Sequence, residues 1–195
     1  MTALFRVLAI GLLLGLAACA QSVSTDVTRF NRFTGPPMGS FTIKPGPEQA
    51  NSLEFTGNAT LLAAELQRVG LAPAAEGAQP DYVASYTATR TPFDAGKDRG
   101  PVDLGVGVGG GSRGSGVGVG IGFNLGGGNS NTGFIDKLSV TMETPEGERV
   151  FEGNASAMTR ERSLSDVMPY LMRAVFTDFP GTNGASDTID VKLGK

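Results

Sequence analysis

Few residues in this chain are equipped for chemistry, and the scarcest type is the most telling. Cys19 is the only cysteine among 195 residues, and histidine is absent. Without histidine there is no commonest general base, no commonest transition-metal ligand and no Ser-His-Asp triad. A single thiol forms no intramolecular disulfide, which leaves it to packing, nucleophilic attack or covalent modification. Otherwise the available chemistry is that of carboxylates and lysines. The stretch DAGKDRG, Asp94 to Gly100, mixes acids with Lys97 and Arg99 and has the composition of an anion or metal loop, although mixed charge reads more simply as a solvated loop. Glu146 and Glu148 fall in a turn, and RER, Arg160 to Arg162, precedes a helical pattern. None of these groups has the apolar surroundings that tune a carboxylate for acid–base work.

The surroundings of Cys19 select among the fates of its thiol. One positive charge at Arg6 is followed by an apolar run from Val7 to Leu16 and then by the small residues Ala17 and Ala18, the layout of an export signal. That run falls short of the roughly 20 apolar residues a membrane-spanning helix needs. Leu16-Ala17-Ala18-Cys19 resembles the lipobox of bacterial lipoproteins. The resemblance implies that the Cys19 sulfur carries a diacylglycerol, that residues 1–18 are removed, and that the new amino group is acylated. Each buried methylene adds about 0.8 kcal/mol, so three chains hold a protein to a membrane for good. Ala20, where an Asp would favour inner-membrane retention in enteric bacteria, implies the outer membrane with the domain facing the periplasm.

Residues 100–133 are the strangest part of the chain. Gly105 to Gly110 matches G-x-G-x-x-G, but a glycine at every second position produces the match by chance, and the strand, turn and helix context of a dinucleotide site is missing. No P-loop pattern occurs, and no basic cluster or aromatic platform suits a nucleic acid. No cofactor, metal, nucleotide or nucleic acid is therefore expected. Val102, Leu104, Val106 and Val108 alternate with glycine, and Val117, Val119, Ile121, Phe123 and Leu125 do so again after GGGSRGSG. This predicts either a hairpin with one apolar and one bare face or a flexible low-complexity insertion.

The remaining elements have clearer periods. Val23, Thr25 and Val27 alternate with polar residues in a first strand, TGPPMG is a turn, and SFTIKP from Ser40 is a second strand. Phe55, Ala59, Leu62, Leu66 and Val69 form the stripe of a helix over Ser52 to Val69 that stops at Gly70. DYVASYTAT from Asp81 is a strand with Tyr82, Ala84, Tyr86 and Ala88 on one face. Leu138, Val140 and Met142 lead through the turn TPEG into RVFEGNASA, a hairpin. After Ser163, the residues Leu164, Val167, Met168, Leu171, Val175 and Phe179 mark a second helix ending at Pro180, with Pro169 placed near its first turn. The tail over 182–195 frays or adds a strand at TIDVKL.

The order of FNRF, LLAAELQRVGL, PDYVASY, LSVTMETPEGERVFEG and the closing FTDFP resembles bacterial lipoproteins of the domain of unknown function 4136 family over nearly the whole mature chain. Phe151 stands where such proteins often carry Trp, and the Gly-rich stretch here is long. The resemblance implies a fold and no active site.

The expected organisation is a signal over 1–18, a lipidated N-terminus and tether over 19–22, and a single domain over 23–181 with the Gly-rich insertion at 100–133. The expected fold is α+β: a mostly antiparallel sheet with two amphipathic helices on one face, and a core including Phe55, Leu62, Leu66, Leu138, Val140, Leu171 and Val175. The expected function is that of a non-catalytic, outer-membrane-anchored binding module. Its partner would be an envelope protein, a lipid-like ligand or a second copy met through the Gly-rich hairpin; the alternative is a carboxylate-based hydrolase of envelope polymers. Replacing Cys19 by Ser should leave the domain folded while releasing the protein from membranes or blocking its cleavage. Fractionation and the mass of the mature N-terminus read this, and a Cys19→Ser chain still membrane-bound and cut at the same bond would refute the anchor.

Overall fold

The structure is a computed structural model that describes residues 22–46, 49–50, 52–94, 132–161 and 163–193. Seven strands and two helices follow in the order β1 (Ser22–Asn31), β2 (Ser40–Ile43), α1 (Leu53–Arg68), β3 (Ala72–Pro73), β4 (Tyr82–Asp94), β5 (Thr132–Glu143), β6 (Arg149–Thr159), α2 (Leu164–Val175) and β7 (Ser186–Lys192). One sheet holds all seven strands in the order β3-β2-β4-β5-β6-β1-β7. Only the β2 pairings with β3 and β4 are parallel. The fold is the α+β class expected from the sequence.

Alternation of side chains settles which face is buried. Val27 lies opposite Ala155, which lies opposite Leu138, which lies opposite Ala88. Tyr86, Val140 and Gly153 form the next such row. Helix α2 covers this face with Val167, Met168, Leu171, Met172 and Val175, all buried. Gly153 sets how close the helix can come, because a Cβ there would stand 2.6 Å from Val175 Cγ1. Helix α1 packs beside α2, and its Leu62 and Leu66 are fully buried in the core. Its first turn is capped by the Ser52 hydroxyl, which accepts from the Phe55 N–H at 3.2 Å.

Four sequence expectations change. Phe55 is half-buried, its ring stacked 5.7 Å from that of Tyr86, so it borders the core and does not fill it. The turn TGPPMG joins two strands that are not neighbours: β2 pairs with β4, so the chain crosses the ends of three strands, and Phe33 in that crossing packs against Tyr82, Phe151 and Phe179. Helix α2 ends at Val175, four residues before Phe179, which instead joins an aromatic cluster with Phe151 and Phe176. Pro169 is the sixth residue of α2, beyond its first turn. A proline there costs about 3 kcal/mol through a lost hydrogen bond, and the buried apolar stripe around it offsets this. Of the two readings of the tail, the strand forms: β7 pairs along β1 from Ser22↔Lys192 to Thr28↔Ser186.

Three buried ionic groups lock the fold, one between sheet and helix, one between the helices and one within the sheet. Arg29 sends Nε to the Val175 carbonyl at 2.8 Å and a terminal nitrogen to that of Ala174 at 2.7 Å, taking up the last carbonyls of α2. Burial pushes its pKa down, opposed by Asp187 and Asp178. Glu65 joins the helices by accepting from Arg68 and Arg173, each at 2.7 Å. Asp136, fully buried, accepts from Arg90 at 2.6 and 2.9 Å and from the Thr159 hydroxyl at 2.7 Å. The hydrogen bond to Asp136 raises the Arg90 pKa, and the guanidinium also lies 4.5 Å over the Phe134 ring.

Breaking a buried pair strands the surviving charge, so Asp136→Ala should cost about 3 to 5 kcal/mol in urea denaturation. Adding Arg90→Met should recover part of that loss; a double variant less stable than Asp136→Ala alone would contradict the pairing. At the head of β2, the exposed Asp81 carboxylate accepts from the Ser40 N–H at 2.7 Å and the Ser40 hydroxyl at 2.8 Å, which hold its pKa below the usual range. A depressed folded pKa gives stability that is complete above the ordinary aspartate value and disappears as pH falls through the folded one. Asp81→Asn should therefore flatten the acid side of the melting-temperature profile, whereas an unchanged acid slope would contradict this.

Candidate functional site: the open face of the sheet

The helices cover one face of the sheet, and the other face is polar. Residues one step out of phase with the core produce two neighbouring rows across five strands. Thr89, Lys137, Ser156, Asp26 and Thr188 make one row. Thr87, Ser139, Asn154, Thr28 and Ser186 make the next. A shallow depression of about 430 Å³ lies over these rows, lined by residues of β1, β4, β5 and β6.

Hydroxyls join neighbouring strands within each row and in the row beyond. Thr188 donates to Asp26 Oδ1 at 2.7 Å, the Thr28 and Ser186 hydroxyls share a 2.7 Å hydrogen bond, and Ser85 and Thr141 share one of 2.8 Å. Toward the hairpin turn, Arg149 bridges Glu143 and Glu152, and these acids raise its pKa. Within the first row stands Lys137, exposed and without an ion-pair partner among the described residues. An ammonium supplies three donors and the surrounding hydroxyls and amide supply both donors and acceptors. Such an array suits a polar or anionic surface met by hydrogen bonds. β-Branched threonines also fit a pleated surface, so the same residues favour strand and supply the polar groups.

The residues singled out in the sequence do not converge here. Cys19, the Gly-rich stretch with Gly105 to Gly110, and DAGKDRG apart from the backbone of Asp94 lie outside the described residues. Glu146 and Glu148 are exposed in the β5–β6 turn, and Glu148 accepts from Arg32 at 2.9 Å. Glu161 gives its carbonyl to Arg90 at 3.2 Å. Among the described residues no three of His, Cys, Asp and Glu gather as metal ligands, and no helix is long and apolar enough to cross a membrane. The open face was missed because each of its residues reads alone as the solvent side of a strand. A signal existed: β1, β4, β5 and β6 all carry hydroxyl or amide residues at that phase.

No family model and no curated protein matches the chain. Among solved structures, a PDZ domain protein from Parabacteroides distasonis is similar over 95% of this chain, with a TM-score of 0.50 and 12% identity. This chain spans 42% of that protein's length, and at such identity the likeness concerns the fold alone. Two PelC dodecamer structures from Paraburkholderia phytofirmans align over 77% and 80% of this chain, with TM-scores of 0.38 and 0.37 and identities of 12% and 11%.

Proposed function

We propose that this chain is a non-catalytic lipoprotein of the bacterial envelope, held to the outer membrane through Cys19 and binding a partner with the open face of its sheet. The observation that carries the binding role is the pair of polar rows that includes Lys137, an organised surface spanning five strands. The buried charges are engaged in holding the fold: Arg29 on α2, Glu65 between the helices, Asp136 beneath Arg90. The lipobox-like stretch at Cys19 supports the anchor, and the resemblance of the chain's motifs to those of the domain of unknown function 4136 family supports the same class of protein. The partner in this reading is another envelope protein or a second copy, with the Gly-rich stretch as a further contact.

β1 begins at Ser22, so the tether is short. The three residues Cys19 to Gln21 at roughly 3.3 to 3.6 Å each reach no more than ~11 Å, which keeps the domain against the bilayer. A photo-cross-linking side chain at Ser139 should trap a discrete adduct in intact cells, lost on Lys137→Glu, whereas the same probe at Glu146 in the turn should trap none. Equal adducts from both positions would overturn the binding face. Turnover of peptidoglycan or other envelope glycan by the purified chain would overturn the non-catalytic reading in favour of a carboxylate hydrolase.

A further inference from the structure

The two edges of the sheet are finished differently. At one, β3 is two residues long and ends in Pro73, and the length of β4 that outruns β2 carries Pro92, which has no N–H to offer. At the other, β7 runs from Ser186 to Lys192 without proline or glycine and has a described neighbour on one side only. Arg29 exchanges backbone hydrogen bonds with Ala185 and Gly184, so the alternate residues Val27, Thr25 and Val23 also turn theirs toward β7, onto Asp187, Ile189 and Val191. The N–H and C=O groups of Ser186, Thr188, Asp190 and Lys192 therefore point outward, and no described residue meets them. Their side chains share the open face, as the Thr188 bond to Asp26 requires. Asp190 and Lys192 are exposed, opposite in charge and without an ion pair among the described residues. On the helix side Val191 is buried, with Ile189 and Leu193 half-buried to either side of it.

Such an edge is a template for one more strand, and the sequence of β7 selects its own complement. A two-fold axis perpendicular to the sheet turns a copy of β7 end for end without exchanging faces. An axis through Asp190 sets two carboxylates against each other. One through Ile189 leaves both charges opposite hydroxyls and Asp187 against Val191; one through Thr188 sets Asp187 against Ile189. An axis through Val191 matches like with like: Asp190 meets Lys192 of the copy, twice by symmetry, Val191 meets its own copy, and Ile189 meets Leu193. We propose that β7 is the dimerisation edge of this protein, pairing antiparallel with β7 of a second copy about Val191 so that the two sheets become one. The outward N–H and C=O groups of Asp190 and Lys192 then bond across the axis, and Ile189 and Leu193 lose their remaining contact with water. The strands overlap over residues 189–193, which leaves the loop at 182–185 clear of the second copy. The polar rows of both copies lie on one side of the joined sheet. The pairing stands apart from the lipid anchor and from the binding role of the open face, since it needs neither.

The test follows the mass of the full chain by sedimentation equilibrium in density-matched detergent, with micelles in large excess over protein. The native chain should sediment as a dimer. Lys192→Glu sets acid against acid at both symmetric contacts and should weaken the dimer about ten-fold or more; adding Asp190→Lys restores opposite charges and should return most of the affinity. Both positions are exposed on an edge strand, so the circular dichroism of each variant should match the native spectrum. A zero-length carbodiimide cross-link on mixed light- and heavy-isotope native chains reads the register without any substitution, and should join Asp190 of one isotope to Lys192 of the other. A monomeric native chain, a Lys192→Glu chain that dimerises as well as the native one, a double variant no better than Lys192→Glu, or a dimer whose light-to-heavy links lie elsewhere would each overturn the proposal.

Discussion

A guanidinium rising from the buried face of a sheet to the last carbonyls of a helix is the contact on which the rest of this fold is arranged. Arg29 occupies a core position in β1, and α2 ends where its carbonyls meet that side chain. A cation at a helix C-terminus answers both the unsatisfied carbonyls and the helix dipole. Desolvating an arginine without such partners would be prohibitive, so the helix has one height and one azimuth over the sheet. Other elements follow from that choice. Gly153 is bare where α2 presses closest. Gly181, with a φ of +78°, passes beside the Arg29 side chain where a Cβ would come within 2.8 Å of it. Asp187 on the edge strand stands 3.7 Å from the same guanidinium, and Arg29 therefore also links β7 to α2.

How much of this was legible in the sequence depends on whether a residue's type agreed with its phase. Val23, Val27, Leu138, Val140 and Met142 alternate in the obvious way, and the strands and their buried face followed directly. Arg29, Arg90 and Asp136 obey the same alternation with charged side chains, and type misled where phase did not. A charged residue in phase with a core stripe is a buried ion pair in waiting, and the partner is set by cross-strand register, which a single strand does not reveal. Parallel pairing was hidden for a related reason: β2 meets β4 across α1 and β3, and four residues of alternating sequence do not specify which strand they join. The expected end of α2 at Pro180 failed because Phe179 keeps helical spacing but serves the aromatic cluster of Phe151 and Phe176.

The two faces of the sheet divide the work. One is consumed by packing and by charges paired in the interior, the other keeps hydroxyls, an amide, an aspartate and a lysine in water. The candidate site was hard to see because its residues sit on separate strands and acquire meaning only as rows. Sequence motifs detect spacing along the chain, whereas a flat binding surface is organised across it.

The strand order also governs the sequence of events in which the molecule is made. Among the described residues β1 is the first strand, yet its two neighbours are β6 and β7, the last two. Pairings between such distant segments must close long loops before they return any stabilisation, and topologies of this kind fold slowly. While a growing chain emerges N-terminus first, β1 has no neighbour until the C-terminal third arrives, and Arg29 has no helix end to meet. β7 therefore acts as a clasp: it closes the β1 edge of the sheet after β2 to β5 have already found one another.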